Sequence, residues 1–430
     1  MQTHNQRKVA VTGIGMVTPL GNNAQQTWQA LLGRQSGIAD IHTFDASHFP
    51  THVAAQVKQF DAQQLLKSDK SLKHAVSFVK FGLVAAEQAL EDAGIHPTQT
   101  TGERWGLVAG SGMMTADYEY WERFHQHYCT GNEIRQTQLG QMNREFFRLS
   151  DFAKTTANSG LGLIAARHQI RGLTTSVHTA CASGGQALGV ALQALRRGEI
   201  DYALAGGFDS MINPFGLASF CLLGALSSTN DASASRPFDY TRDGFILGEG
   251  AAFLVLEDWQ RAVARGARIY AELAGEGNSL SAYRITDSPP DGDGPIQAIK
   301  TALMDAGESA DQVNYINAHG TSTKMNDLSE TNAIKAVFGE RAYQIPTSST
   351  KSLTGHLIAA AGALEGAIMA LAIHHQHIPM TANLTTPDPE CDLDYVVGGP
   401  REWPVKVAIS NSFGFGGTNS CVVMRAGESS

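Results

Sequence analysis

The residue with the most chemical promise is Cys181, inside Thr175-Ser-Val-His-Thr-Ala-Cys181-Ala-Ser-Gly-Gly-Gln-Ala-Leu-Gly-Val190. A short β-prone run reaches the cysteine. Ser183, Gly184 and Gly185 then open an Ala/Leu-rich run that reads as a helix continuing to about Leu195. This pattern places the thiol at a strand-to-helix turn. There the positive end of the helix dipole and unpaired amide N–H groups predict a lowered thiol pKa and an accessible thiolate. A nucleophile suits such a turn, but a buried structural cysteine is the commoner fate of a lone thiol, and this stretch alone leaves both readings open.

The other polar groups able to do chemistry come from the second half of the chain. His319 ends the strand-like run Val313-Asn-Tyr-Ile-Asn-Ala-His319-Gly-Thr-Ser-Thr323. Lys351 and His356 lie in Ser348-Ser-Thr-Lys351-Ser-Leu-Thr-Gly355-His356, which enters an Ala/Gly-rich helix. The strand from Lys406 runs into the glycine turn Phe413-Gly-Phe415-Gly-Gly417. A thiol and two imidazoles delivered by strand ends suit a nucleophile with its partners, or a metal site. Metal is disfavoured because neither histidine has an H-E-x-x-H neighbourhood, and His374, His375 and His377 read as the surface end of a helix. Arg242 and Asp243, in the charged turn Arg236 to Phe245, read as an ion pair bracing a loop.

These groups need a scaffold that brings strand ends together. Lys8 to Gly21 reads as a strand and a glycine-rich turn, but Thr18 stands where G-x-G-x-x-G needs its third glycine and Pro19 follows, which excludes a dinucleotide site. Helices are expected over Asn23 to Leu32 and over Lys67 to Ala93, the latter stopped by Gly94. Lys67, Lys70, Lys73 and Lys80 on the second helix form a solvated face, or a docking patch for an acidic partner. Strands follow at Trp105 to Gly112, Tyr202 to Gly207 and Ala251 to Glu257. Residues 118–150 form an excursion without a clean period, a cap or an interface. After a helix from Glu257 to Arg265, a strand at Arg268 to Ala274 opens a second half that repeats the element order of the first. The expectation is an α/β protein of two similar stacked halves, 1–267 and 268–430, whose strand ends face one shared site.

Composition narrows the function. The 430 residues are 43% hydrophobic, enough for a large core, and 44 glycines spread along the chain indicate many close backbone approaches. A formal charge of −9 argues against nucleic-acid binding. Five scattered cysteines without a C-x-x-C pair disfavour a disulfide framework or zinc knuckle and suit a reducing compartment. The N-terminus lacks an apolar signal core and no run reaches ~18 uninterrupted apolar residues, so the expectation is a cytoplasmic protein without a membrane span.

The motifs Thr179-Ala-Cys181-Ala-Ser-Gly, Asn317-Ala-His319-Gly-Thr-Ser-Thr, Ser349-Thr-Lys351-Ser-Leu-Thr-Gly-His356 and Asn411-Ser-Phe-Gly-Phe-Gly-Gly-Thr-Asn419 resemble the four signatures of the β-ketoacyl-[acyl-carrier-protein] synthases. They stand in the family's order, and the similarity spans nearly the whole chain, including Gly244-Phe-Ile-Leu-Gly-Glu-Gly250. The resemblance is to the elongating Cys-His-His branch, because the initiating branch has asparagine for the second histidine. It implies a thiolase-like fold in layered α/β/α/β/α form. The partners it implies are an acyl-carrier protein and either an identical subunit or a related ketosynthase-like one. The implied reaction is decarboxylative condensation of malonyl-carrier protein with an acyl chain, in fatty-acid or specialised polyketide or polyene synthesis.

By the same resemblance Cys181 carries the acyl chain, and His319 and His356 donate N–H groups to the enolate left by decarboxylation. The backbone N–H groups of Cys181 and Phe415 form the oxyanion hole. Lys351 supports the histidine network and Glu365 is the helix carboxylate that balances it. Thr321 and Thr323 touch the phosphopantetheine arm, Met113 lines the acyl pocket, and Phe413 and Phe415 also meet substrate. Asn317, Glu365, Ser410 and Asn411 correspond to a structural Na+ or K+ site, and no cofactor is required for catalysis. Lys70 and Lys73 are candidates for carrier docking. Lys324 replaces the family's usual proline, and Met113-Met114 replace a small or branched residue followed by glycine. Two rival readings are a silent chain-length-factor-type subunit, which usually loses the cysteine, and a thiolase-type acyltransferase, which needs a second catalytic cysteine near the glycine turn; Cys421 lies beyond that turn.

Overall fold

The computed structural model describes residues 7–67, 70–112, 118–131, 133–137, 149–156 and 158–427. Met113 and Met114 lie outside them, as does part of the 118–150 excursion; the described part includes a helix at Tyr118–Tyr128. Ten strands build the main sheet. The first part of the chain supplies β1 (Val9–Val17), β2 (Trp105–Ser111), β3 (Thr174–Val177), β4 (Tyr202–Ser210) and β5 (Glu249–Asp258). The second supplies β6 (Ala271–Leu280), β7 (Tyr315–Asn317), β8 (Thr347–Ser348), β9 (Val407–Phe413) and β10 (Thr418–Arg425). Their order across the sheet is β8-β7-β9-β10-β6-β1-β5-β4-β2-β3.

The topology of the first five strands recurs in the second five. β2 runs parallel to β3 and β4, while β5 is antiparallel to both β4 and β1. β7 likewise runs parallel to β8 and β9, while β10 is antiparallel to both β9 and β6. Only Ala10↔Glu272 and Val11↔Ala271 join the two sets, through β1 and β6.

Burial explains why these strands read as unbroken apolar runs. Strands covered on both faces have no solvent side on which to place polar residues. Along β5, Leu254 and Leu256 point into a central core that also contains Trp28 and Leu31 of helix α1 (Ala24–Leu32) and helices α3 (Ser183–Arg196) and α6 (Ala361–His375), whereas Phe253 and Val255 point into an outer core with helix α2 (Ser77–Ala93). α3 and α6 pack on each other and against strands of both sets, and α4 (Asp293–Ala306) and α5 (Lys324–Phe338) cover the other outer face. The layers are therefore α/β/α/β/α, with α3 and α6 in the middle. The apolar stretch Ile358–His375, long enough by length and composition to cross a membrane, is 89% buried inside the protein as this central layer.

Several sequence expectations change. β1 does not stop at a glycine turn but continues through Gly13 and Gly15 to Val17. Those glycines face α2, where a Cβ would fall 2.2 Å from the Ala89 carbonyl oxygen and 1.9 Å from that of Ala85. Gly275 and Gly277 on β6 admit α4 in the same way, with 2.5 Å and 2.3 Å to the Ala302 and Ala298 oxygens. The segment expected as one helix from Lys67 to Ala93 is broken: Lys70–His74 is a 3-10 turn and the helix proper starts at Ser77. Gly94 ends it in the left-handed region, as expected (φ 63°). β5 runs on to Asp258, so the following helix is only Trp259–Ala264, and β6 begins at Ala271. Arg242 and Asp243 both brace loops, but not as a pair: Arg242 bonds Asp388 at 2.6 Å and lies 3.5 Å from Asp327, while Asp243 pairs with Arg236 at 2.7 Å.

Candidate active site

β3 leads into a 3-10 turn, Ala180–Ala182, that runs directly into α3 and places Cys181 at the helix entrance. Ser183 shapes this turn, its Oγ accepting from the Thr179 N–H (2.8 Å) and donating to the Ala180 carbonyl (2.7 Å). Ala180 is held at φ 49°, a left-handed conformation that a non-glycine residue adopts at a cost of about 1–3 kcal/mol. The strand-to-helix turn is as expected; the thiol's acidity is not. Cys181 is 6% exposed, and burial pushes its pKa up to about 12. The Lys351 charge and the backbone N–H groups of Phe415 and Cys181 oppose that shift without overcoming it. Desolvation by the cluster around it, Met211, Phe245, Leu247 and Ile358 among others, therefore outweighs the helix dipole.

The loop after β7 carries His319 and the turn before α6 carries His356. One ligand atom from each of Cys181, His319 and His356 lies within 4.8 Å of the others, and all three residues are buried. The two rings meet edge to face, 5.3 Å between centroids. Phe413 lies against His319 and Phe245 against His356. Burial and the Lys351 charge hold both histidines well below the ordinary imidazole range, so both are neutral at pH 7. The Ile358 N–H donates to His356 Nδ1 (3.3 Å), which leaves the proton on Nε2. His356 Nε2 and His319 Nδ1 are buried without a hydrogen-bond partner. Such a group can take an acyl chain on sulfur and present an imidazole N–H to a developing oxyanion; the same three ligand atoms could hold a tetrahedral metal ion.

Behind the histidines, Lys351 Nζ bonds Glu365 Oε1, both side chains 2% exposed. Burial raises the Glu365 carboxyl to about 7, against the opposing Lys351 charge. Asn317 Oδ1, Glu365 Oε2, Ser410 Oγ and Asn411 Oδ1 are all buried without partners. Asn317 and Ser410 are register partners on β7 and β9, and the Asn317 amide donates to the Glu365 carbonyl oxygen (3.3 Å). Unpaired buried oxygens are what a hard monovalent cation would satisfy, so these residues fit one.

Sequence reasoning missed Glu330. On α5 its buried carboxylate accepts from the backbone N–H of His319 (2.8 Å) and Gly320 (2.8 Å) and from Asn411 Nδ2 (3.0 Å). It thus clamps the His319 loop to β9. Its signal was the acidic pair Asp327-x-x-Glu330 on a helix whose other face is core. Asp209, at the end of β4, was also missed. Its Oδ2 accepts from the Ala359 N–H (3.0 Å), and burial raises it to about 7.

A cleft of about 470 Å³ reaches this group, lined by Cys181, His319, His356, Thr321, Thr323, Phe413 and Phe415 among others. The Thr321 and Thr323 hydroxyls bond each other (2.9 Å). Lys73 is exposed and lines a separate groove with Lys80 and Phe81, and the Lys70 side chain lies outside the described residues. Cys421 is fully buried in β10 within the α4 and α5 core, away from the cleft.

A doubled α/β sheet that opens a buried thiol and two neutral imidazoles to one cleft is the architecture of a thiolase-like condensing enzyme. The chain belongs to the β-ketoacyl synthase family: residues 6–262 match the family's N-terminal domain and 270–385 its C-terminal domain. It is 41% identical over 422 residues to 3-oxoacyl-[acyl-carrier-protein] synthase 2 of Coxiella burnetii, covering 97% of this chain and 98% of that one. The Vibrio harveyi protein of the same name is 39% identical, with 98% and 99% covered. Among solved structures, a type II PKS ketosynthase in complex with its acyl-carrier protein superposes with a TM-score of 0.87 at 36% identity, covering 99% of this chain and all of that one. A β-ketoacyl synthase from Burkholderia phymatum gives 0.87 at 31%, with 98% and 100% covered.

Proposed function

We propose that this enzyme elongates an acyl chain by two carbons on an acyl-carrier protein. The observation that carries the reading is the buried Cys181, His319 and His356 group at the floor of the cleft. Cys181 Sγ attacks the carbonyl of an acyl-carrier thioester, the carrier thiol leaves with a proton, and the chain remains as a new thioester on the enzyme. Malonyl-carrier then loses CO2, and the enolate oxygen is met by the His356 Nε2–H, while neutral His319 gives its one ring proton to the Phe413 carbonyl and keeps Nδ1 as an acceptor beside the thiol. The enolate carbon attacks the acyl-Cys181 carbonyl, whose oxygen the Cys181 and Phe415 N–H groups receive. Cleavage of the Cys181 thioester releases a 3-oxoacyl-carrier product and the Cys181 thiolate, which takes up a proton from water.

The Lys351 charge helps to keep the histidines neutral, and Glu365 holds Lys351 in place. Thr321 and Thr323 face the arm in the cleft that Phe413 and Phe415 also line. Asn317, Glu365, Ser410 and Asn411 would hold a Na+ or K+ ion, which when bound supplies structural charge balance behind the histidines. We assign 1–267 and 268–430 as the two halves, Met113 to the acyl pocket, Lys70 and Lys73 to carrier docking, and the cytoplasm as the location. We assign either a homodimer or a pair with a related subunit. An intact thiol and both imidazoles support an active subunit over a silent one, and the core position of Cys421 speaks against a thiolase. Intact mass after incubation with acyl-carrier proteins of graded chain length tests the proposal. A mass increase equal to the acyl group on Cys181, discharged as 3-oxoacyl product by malonyl-carrier, is expected; a stoichiometric bound metal without acylation would overturn it.

A further inference from the structure

From the floor of the cleft outward, exposure rises along one short segment. His319 is 1% exposed and Thr321 6%, Thr323 is half-buried, and Lys324 is exposed at the rim. All four line the same cleft. Lys324 is the first residue of α5, a 15-residue helix whose N-cap, Thr323, makes no side-chain capping bond. Local physics favours proline or an acidic residue there, and a lysine opposes the helix dipole. Its place is nonetheless rigidly held: buried Arg242 donates to the carbonyls of Thr323 (3.2 Å) and Lys324 (3.0 Å), and is itself tied to Asp388 and Asp327.

Charge at the rim is otherwise balanced. Asp243 is paired with Arg236 (2.7 Å) and Asp287 with Arg284 (3.4 Å), whereas Lys324 makes no contact ion pair among the described residues: the nearby Asp388 feels its charge but is bonded to Arg242. An unpaired cation on a fixed anchor, at the solvent end of a track leading to the thiol, suits an anion at the outer end of an extended ligand. Resting on the carrier-bound substrate proposed above, we infer that Lys324 binds the phosphate of the phosphopantetheine arm and makes this enzyme select phosphate-bearing thioesters.

The test compares hexanoyl-pantetheine, hexanoyl-phosphopantetheine and hexanoyl-carrier protein as acyl donors to Cys181 in the full-length enzyme, followed by intact mass. In Lys324→Ala the preference for the phosphopantetheine over the pantetheine thioester should fall by about three- to tenfold, the range between an exposed and a charge-assisted contact. Lys324→Arg should restore it, and raising salt should erode it in the wild type but not in Lys324→Ala. An unchanged preference overturns the inference. So does a loss confined to the carrier-bound donor, which would place Lys324 against the carrier's surface. Failure of the wild type to use the carrier-bound donor would instead sink the proposed function, while the two small donors still decide the role of Lys324.

Discussion

The Ile358 N–H points at His356 Nδ1 across 3.3 Å, from a residue held at φ 46°. A β-branched residue in the left-handed region is strained, so the surrounding structure over-determines this contact. Its consequence is chemical: the imidazole proton is fixed on Nε2, the only ring nitrogen of His356 without a protein partner.

His356→Ala should therefore slow malonyl decarboxylation by on the order of 10²–10³-fold, the loss expected for one preorganised oxyanion donor. His356→Asn, which can still present an N–H, should retain more activity than the alanine variant. His319→Ala should fall in the same range as His356→Ala. CO2 release from malonyl-carrier measures all three, and near-normal rates in both alanine variants would remove the histidines from the reaction.

Cys181→Ala should abolish acyl-enzyme formation and leave the fold intact, because a small side chain fits the turn held by Ser183. Burial raises the thiol to about 12, so the resting sulfur is protonated. Alkylation of Cys181 by iodoacetamide should accelerate as pH rises from 7 to 10, followed by peptide mass. A rate flat across that range would mean the thiolate is already formed at neutral pH. Acylation persisting in Cys181→Ala, or appearing on Cys421, would refute the assignment of the nucleophile.

Cys181 and His319 were legible in the sequence because each follows a short strand and precedes small residues, a local pattern, whereas His356 follows the short helix Lys351–Thr354 and was legible through its motif. What sequence could not show was long-range. Glu330 matters through backbone N–H groups ten and eleven residues away and through Asn411 on another strand. The acidity of Cys181 depends on how completely sequence-distant residues such as Met211, Phe245, Leu247 and Ile358 exclude water, which outweighs the helix dipole visible in the local sequence. Gly13 and Gly15 read as a turn because a glycine that admits a packed helix looks the same in sequence as one that bends the chain.

Docking is expected to be electrostatic and local, since a chain of net charge −9 repels an acidic carrier at long range. Charge reversal at Lys70 and Lys73 should raise KM for the carrier-bound substrate more than for a pantetheine thioester. Salt should weaken only the former, because a Debye length of about 8 Å at physiological ionic strength screens exposed charges. Equal effects on both substrates would move the docking surface elsewhere; the position of Lys73 on a groove separate from the Cys181 cleft makes this a sharp test.

The buried carboxylates set the last prediction. Burial raises Asp209 from an ordinary 3.8, and Glu330 and Glu365 from 4.5, each to about 7. Between roughly pH 4.5 and 7 these three groups hold more protons folded than unfolded, so they add stability as pH falls through that window. The buried neutral His319 and His356 work the other way below about pH 6.5, where the unfolded imidazoles take up protons, and carboxylates such as Asp201, held low by Arg104, join them below about pH 4. Tm should increase from pH 8 to about pH 6.5, above the range in which the histidines oppose it, and Glu330→Gln or Glu365→Gln should flatten the slope. If Asn317, Glu365, Ser410 and Asn411 hold a monovalent cation, K+ or Na+ should stabilise the enzyme at pH 8 more than at pH 5, because the ion favours the ionised Glu365 carboxylate. A bulky organic cation should not substitute. A Tm that falls steadily from pH 8 to about pH 6.5, or that responds equally to every cation, would show that these carboxylates are ionised and paired in a way the hydrogen bonds of Glu330 and Glu365 do not account for.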